Sequence, residues 1–152
     1  MSSDVLDLST MRPDAKAEPL HLLRQYTGWR GVKEYSTKEA IRHIHCPPDP
    51  FFVFGTHTSR YPVRAEDMAG GSVYWCKRGV TMFRMPLHGI EASSYGWWIL
   101  MEPVVIPVEP KTVGQVRGWR YLDNSRRPSD NPGLKEQLLM EIRMEDAEAP
   151  KE

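Results

Sequence analysis

Residues 56–85, THTSRYPVRAEDMAGGSVYWCKRGVTMFRM, hold a strand end, a glycine turn and a hairpin in thirty positions. The stretch leading in, 53–58, is rich in β-branched and aromatic residues, which favour a pleated, half-buried surface. Arg60, Pro62 and Arg64 end it, because proline removes a ladder donor and biases Tyr61 away from helix. Gly70-Gly71 supplies freedom at positive φ, after which 72–76 and 80–85 read as two strands joined at Lys77-Arg78-Gly79. The expectation is a β-hairpin with a basic, glycine-bearing mouth.

Composition bounds what can surround that hairpin. A chain of 152 residues with 40% apolar and 10% aromatic content has the length of one domain and the material for a core. No stretch approaches the ~18 consecutive apolar residues of a membrane span. Residues 1–20 are acidic where a secretory leader needs positive charge, so a cytoplasmic address is expected. Cys46 and Cys76 are too few for a disulfide scaffold and read as reduced, partly buried thiols. The net charge is zero, yet 21–127 carries fifteen basic and nine acidic side chains while 128–152 carries three and seven. A basic folded middle between acidic ends favours an anionic partner, or serves only solubility.

In chain order, 1–19 reads as a flexible or loosely docked arm, 20–146 as a single globular domain and 147–152 as a flexible acidic tail. Residues 20–26 (LHLLRQY) predict an opening strand closed by Thr27-Gly28. Ser36-Thr37-Lys38-Glu39 matches a capping box, and Ala40, Ile41 and Ile44 follow at one-face helical spacing, so a helix is expected over 37–45. Beyond the hairpin, 95–101, 104–108 and 118–122 read as strands, the second confined to an edge by Pro103, Pro107 and Pro110. A polar loop over 123–132 precedes a helix over 134–144, with Leu134, Leu138 and Ile142 on one face. Several strands with few helices predict an α+β fold, a small and mostly antiparallel barrel with peripheral helices.

The hairpin stretch resembles proteobacterial proteins of domain-of-unknown-function family 1489. In those, a Thr-x-x-Pro-x-Arg segment leads to Gly-Gly-Ser-x-Tyr-Trp and a glycine turn. Gly118-Trp119-Arg120-Tyr121-Leu122 is similar to the family's closing motif, giving a resemblance over 20–130 that implies no activity. A looser resemblance to PUA-like barrels, including ASCH and EVE domains, implies a cleft for RNA or a modified base.

The residues offer matching chemistry. Arg60, Arg64, Lys77, Arg78 and Arg84 flank Tyr61, Tyr74 and Trp75, so phosphate partners alternate with stacking surfaces as single-strand or flipped-base binding requires. Tyr74 and Trp75 point to opposite faces of one strand, which places at least one in the core. Trp119 and Arg120 stack and clamp a ligand, or Trp119 caps the core with Arg120 across it in a cation–π contact. The expected function is therefore nucleic-acid binding through Arg60, Tyr61, Arg64, Tyr74, Lys77, Arg78, Trp119 and Arg120. It stands against a protein-interaction module pairing the 97–98 or 104–108 edge with a partner strand. A small hydrolase or transferase is a third reading, needing Glu66, Asp67, His57 and Cys76 in one pocket. No catalytic motif is present, so a binding role is preferred over an enzyme and no cofactor is expected. His43, His45 and Cys46, with His57, offer metal donors, but on a helix His43 and His45 diverge by about 200°, and no metal site is expected.

Overall fold

A computed structural model describes residues 5–8, 18–27, 37–44, 46–48 and 53–148. Among them the order is β1 (Val5–Asp7), β2 (His21–Gln25), α1 (Thr37–His43), β3 (Phe54–Thr58), β4 (Ser72–Lys77), β5 (Val80–Ser93), β6 (Gly96–Met101), β7 (Ile106–Pro107), β8 (Trp119–Leu122) and α2 (Lys135–Glu148).

The sheet is built on β5. Its alternation buries Thr81, Phe83, Met85 and Leu87, and the strand is long enough to serve two neighbours in turn. Residues 80–86 of β5 pair with β4 and 87–93 with β6, the latter through a register shift between Leu87 and Gly89. The strand was expected to stop at Met85. It continues because Pro86, which lacks only the donor, still accepts from Glu102 N (2.9 Å), and Leu87 N donates to Gly71 O (3.0 Å). Val5–Asp7, within the expected flexible arm, lies antiparallel on β5, and Leu8 is fully buried. That approach requires glycine at position 89, where a Cβ would sit 2.4 Å from Leu6 O.

The strand path is β3-β6-β5-β4-β2-β8, with β1 and β7 flanking β5. Only β2 and β4 run parallel, so the sheet is mixed. The α+β class stands, but the closed barrel does not, because β3 and β8 share no ladder. The PUA-like resemblance implied that closure. Side chains occupy the edge instead, as described below.

Strand β2 is apolar on both sides because both are covered. Leu22 enters the main core with Val73, Trp75, Phe83 and Trp119, whereas Leu23 joins a smaller outer cluster with Tyr74, Cys76, Val108, Val116 and Leu122. Both members of the Tyr74-Trp75 pair are therefore buried, on opposite faces. Helix α1 ends at His43, and Ile44 bridges Val105. Ser36 of the capping box and His45 lie outside the described residues. Helix α2 buries Leu138 and Ile142 and runs to Glu148, into the segment expected as a tail. No helix among the described residues is long and apolar enough to cross a membrane.

Candidate nucleic-acid interface

The sheet register sorts the expected site residues into inner and outer rows. Trp119, Arg24, Trp75 and Phe83 are successive ladder partners on the inner face. Arg120, Leu23, Tyr74 and Arg84 form the corresponding outer row. Trp119 and Arg120 cannot share a cavity, since the strand sends them to opposite faces.

On the inner side, the open seam between β3 and β8 is closed by arginine. Arg24 donates through Nε to Thr56 Oγ1 (2.8 Å), through Nη2 to His57 O (2.6 Å) and through Nη1 to Gly118 O (3.1 Å). Its acceptors are all neutral, and burial pulls its guanidinium down from the ordinary arginine value. Arg60 follows β3 and donates Nη2 to Trp119 O (2.8 Å), while Trp119 Nε1 donates to Arg60 O (3.2 Å). The Arg60 guanidinium lies 3.9 Å from the Trp119 ring centroid. The cation–π partner of Trp119 is thus Arg60, not Arg120, a pairing invisible locally because the two are 59 positions apart.

The rest of the 59–68 loop is stapled down in the same way. Arg64 N donates to Tyr121 Oη (2.9 Å), and its guanidinium pairs with Asp67 (3.1 Å) and faces the Tyr121 ring at 5.9 Å. Tyr61 packs edge-on against Trp97, ring centroids 4.7 Å apart. Burial, then Glu66 and Tyr121, push the Tyr61 phenol up. Each of the four is therefore engaged within the protein: Arg60 and Trp119 with one another, Arg64 with Asp67 and Tyr121, and Tyr61 with Trp97.

Tyr74 is 1% exposed, and burial raises its phenol above the ordinary value despite Arg84 and Arg127. It belongs to a polar network that anchors the 123–131 loop. Ser72 N donates to His21 Nδ1 (3.0 Å), which leaves Nε2 to donate to Asn124 Oδ1 (2.9 Å). Arg127 Nε donates to the same oxygen (2.9 Å). Burial first, then Arg127 and Arg84, hold His21 below the ordinary imidazole value, with the Asn124 bond opposing. Arg84 grips Asp130 through two 2.8 Å bonds; burial lowers its guanidinium, and the carboxylate more than offsets that.

The outer face of β8 differs. Arg120, Lys111 and Arg126 line a concavity of about 400 Å³ with Tyr121 and Asp123 on its wall and Leu23 and Leu122 behind. Each cation is exposed; Arg120 donates to Val113 O and Lys111 to Arg126 O. Between 111 and 127 the chain carries Lys111, Arg117, Arg120, Arg126 and Arg127 against the single acid Asp123. Sequence reading found Arg120 alone of the lining cations; the charge density of 111–127 was the available signal.

Three rings stand across the seam, Tyr95 exposed and His57 and Trp98 half-buried. Trp98 and His57 are ladder partners on the outward face of β6 and β3, and Tyr95 at the β5–β6 turn is 74% exposed. Tyr95 and His57 centroids are 4.4 Å apart, His57 and Trp98 5.0 Å, and His57 Nε2 is 2.8 Å from Ser93 Oγ. Arg24, bonded to both His57 O and Gly118 O, ties this platform to the start of β8.

Lys77 and Arg78 join neither group; they rim a separate cleft beside α2. The strand-addition reading loses its edge, because β6 has neighbours on both sides and β7 spans two residues. The hydrolase set is dispersed. Asp67 pairs with Arg64, His57 meets Ser93, and Cys76 lies in the outer cluster with its thiol pushed up by burial. Among the described residues no three His, Cys, Asp or Glu are grouped to hold a metal.

No curated protein and no solved structure matches the chain. A family model does match, over residues 51–147, taking in both quoted motifs and nearly all of α2 while leaving β2 outside. The chain therefore belongs to DUF1489, a family described as protein of unknown function.

Proposed function

We propose that the protein binds single-stranded nucleic acid across the outer side of the β3–β8 seam. Lys111, Arg120 and Arg126 take phosphates, and Tyr95 with Trp98 offers ring faces to bases. The reading moves phosphate contact away from Arg60 and Arg64, whose guanidiniums already lie on protein rings. It is carried by one observation: three cations gathered around a single concavity with one carboxylate among them. A flexible strand suits the site better than a duplex because bases must turn outward to stack.

The test is equilibrium binding of a labelled oligouridylate, its DNA counterpart and a duplex across a salt series. Retention of the single strands should fall steeply with salt. The combined Lys111→Ala, Arg120→Ala and Arg126→Ala variant should reduce the log–log slope by about 2, at roughly 0.7 per single-strand phosphate contact. Absence of retention at low ionic strength, or an unchanged slope in the variant, overturns the reading.

A further inference from the structure

We propose that the cleft between the β4–β5 turn and α2 is a second, separate site, for a small ligand with an apolar body and one anionic head, carboxylate or phosphate. The cleft has a volume of about 350 Å³ and shares no lining residue with the basic concavity. Its walls are Val80 and Met82 of β5, Val108 after β7, Leu134 just before α2 and Leu138 in its first turns. Val108 and Leu138 are buried, so the floor is dry carbon continuous with the interior. Thr81 is no polar anchor there, because its hydroxyl donates to Glu109 O (2.8 Å) and accepts from Lys111 N (2.9 Å). Charge is confined to the rim, where Lys77, Arg78 and Glu141 stand, with Lys77 Nζ 3.8 Å from the Glu141 carboxylate. Two cations against one acid leave the rim net positive.

The turn supplies an independent observation. Arg78 has φ 55° and Gly79 φ 78°, so both central residues are left-handed, as a type I′ hairpin requires. Glycine meets that demand at no cost, and asparagine or aspartate meets it at little. Arginine meets it poorly, and Arg78 is the sole non-glycine residue with positive φ among those described. Its guanidinium has no hydrogen bond or ion pair to any described residue, so the fold gains nothing visible from it. A side chain held at a disfavoured φ, unused by the protein and placed on the lip of an apolar cleft, fits a head-group contact. The 3.8 Å pair of Lys77 with Glu141 is long enough to open for an incoming anion.

The experiment uses octanoate, octyl phosphate and 1-octanol against the full-length chain, followed by backbone amide shifts and melting temperature. Both anions should perturb the amides of the β4–β5 turn and of α2 saturably, with octanol about tenfold weaker. The stronger of the two anions identifies the head group. Arg78→Asn should melt at the same or a higher temperature, since asparagine suits the turn, and yet bind the anions about tenfold more weakly. Equal binding of octanol and the anions overturns the proposal. So do undiminished anion binding by Arg78→Asn and the absence of any shift in these elements up to probe solubility.

Discussion

Arg60 and Arg120 stand on opposite sides of β8, both exposed, and their surroundings separate them. Arg60 lies on the Trp119 ring and bonds its carbonyl, and beside it Arg24 spends three donors on Thr56, His57 and Gly118. Arg120 makes one backbone contact and faces a concavity shared with Lys111 and Arg126. The inner arginines substitute for a missing strand ladder, whereas the outer ones crowd like charges into one hollow. Like-charge crowding costs stability, and an anionic partner would relieve that cost, which is the physical support for the proposed binding.

The comparison breaks most visibly at Trp119. Trp119→Ala removes a buried ring, its Nε1 bond to Arg60 O and its cation–π contact with Arg60, and should cost about 4 kcal/mol of unfolding free energy, measured by urea titration. Arg24→Ala strands acceptors on both sides of the seam and should cost about 3 kcal/mol, with Arg24→Lys recovering only part because an ammonium cannot span three acceptors. If Arg24→Ala leaves stability intact, the seam is not held as described. Arg60→Ala sharpens the contrast: about 1 kcal/mol lost, and oligonucleotide affinity unchanged. The smallest effect is expected from pH. The folded state holds His21 neutral below its ordinary pKa of 6.5, so the unfolded chain takes up the proton first. Stability is therefore full above about 6.5 and declines as pH falls from there toward the lower folded pKa. Urea midpoints of wild type should fall over that range, and those of His21→Gln should fall less.

Much of the frame was legible because it is local. The glycine pair, the Lys77-Arg78-Gly79 turn and the short β-like runs 20–26 and 118–122 each specify their element within a few residues. The 103-residue remove of His21 from Asn124 is typical of what was not. Arg60 meets Trp119, Arg24 meets Gly118, and the polar loop after β8 is anchored by His21, all contacts between distant segments. Arg24 did leave a trace, since by two-residue alternation it shares a face with Leu22, and a cation there must find acceptors. Closure of a barrel was beyond local reading, because it turns on whether two short terminal strands meet.

The division of the arginines is tested most directly by following arginine Nε–H resonances while a short oligouridylate is added. Arg120 and Arg126 should shift progressively with salt-sensitive saturation, while Arg24 and Arg60 stay in place. Movement of Arg24 and Arg60 with Arg120 and Arg126 unmoved would contradict the account.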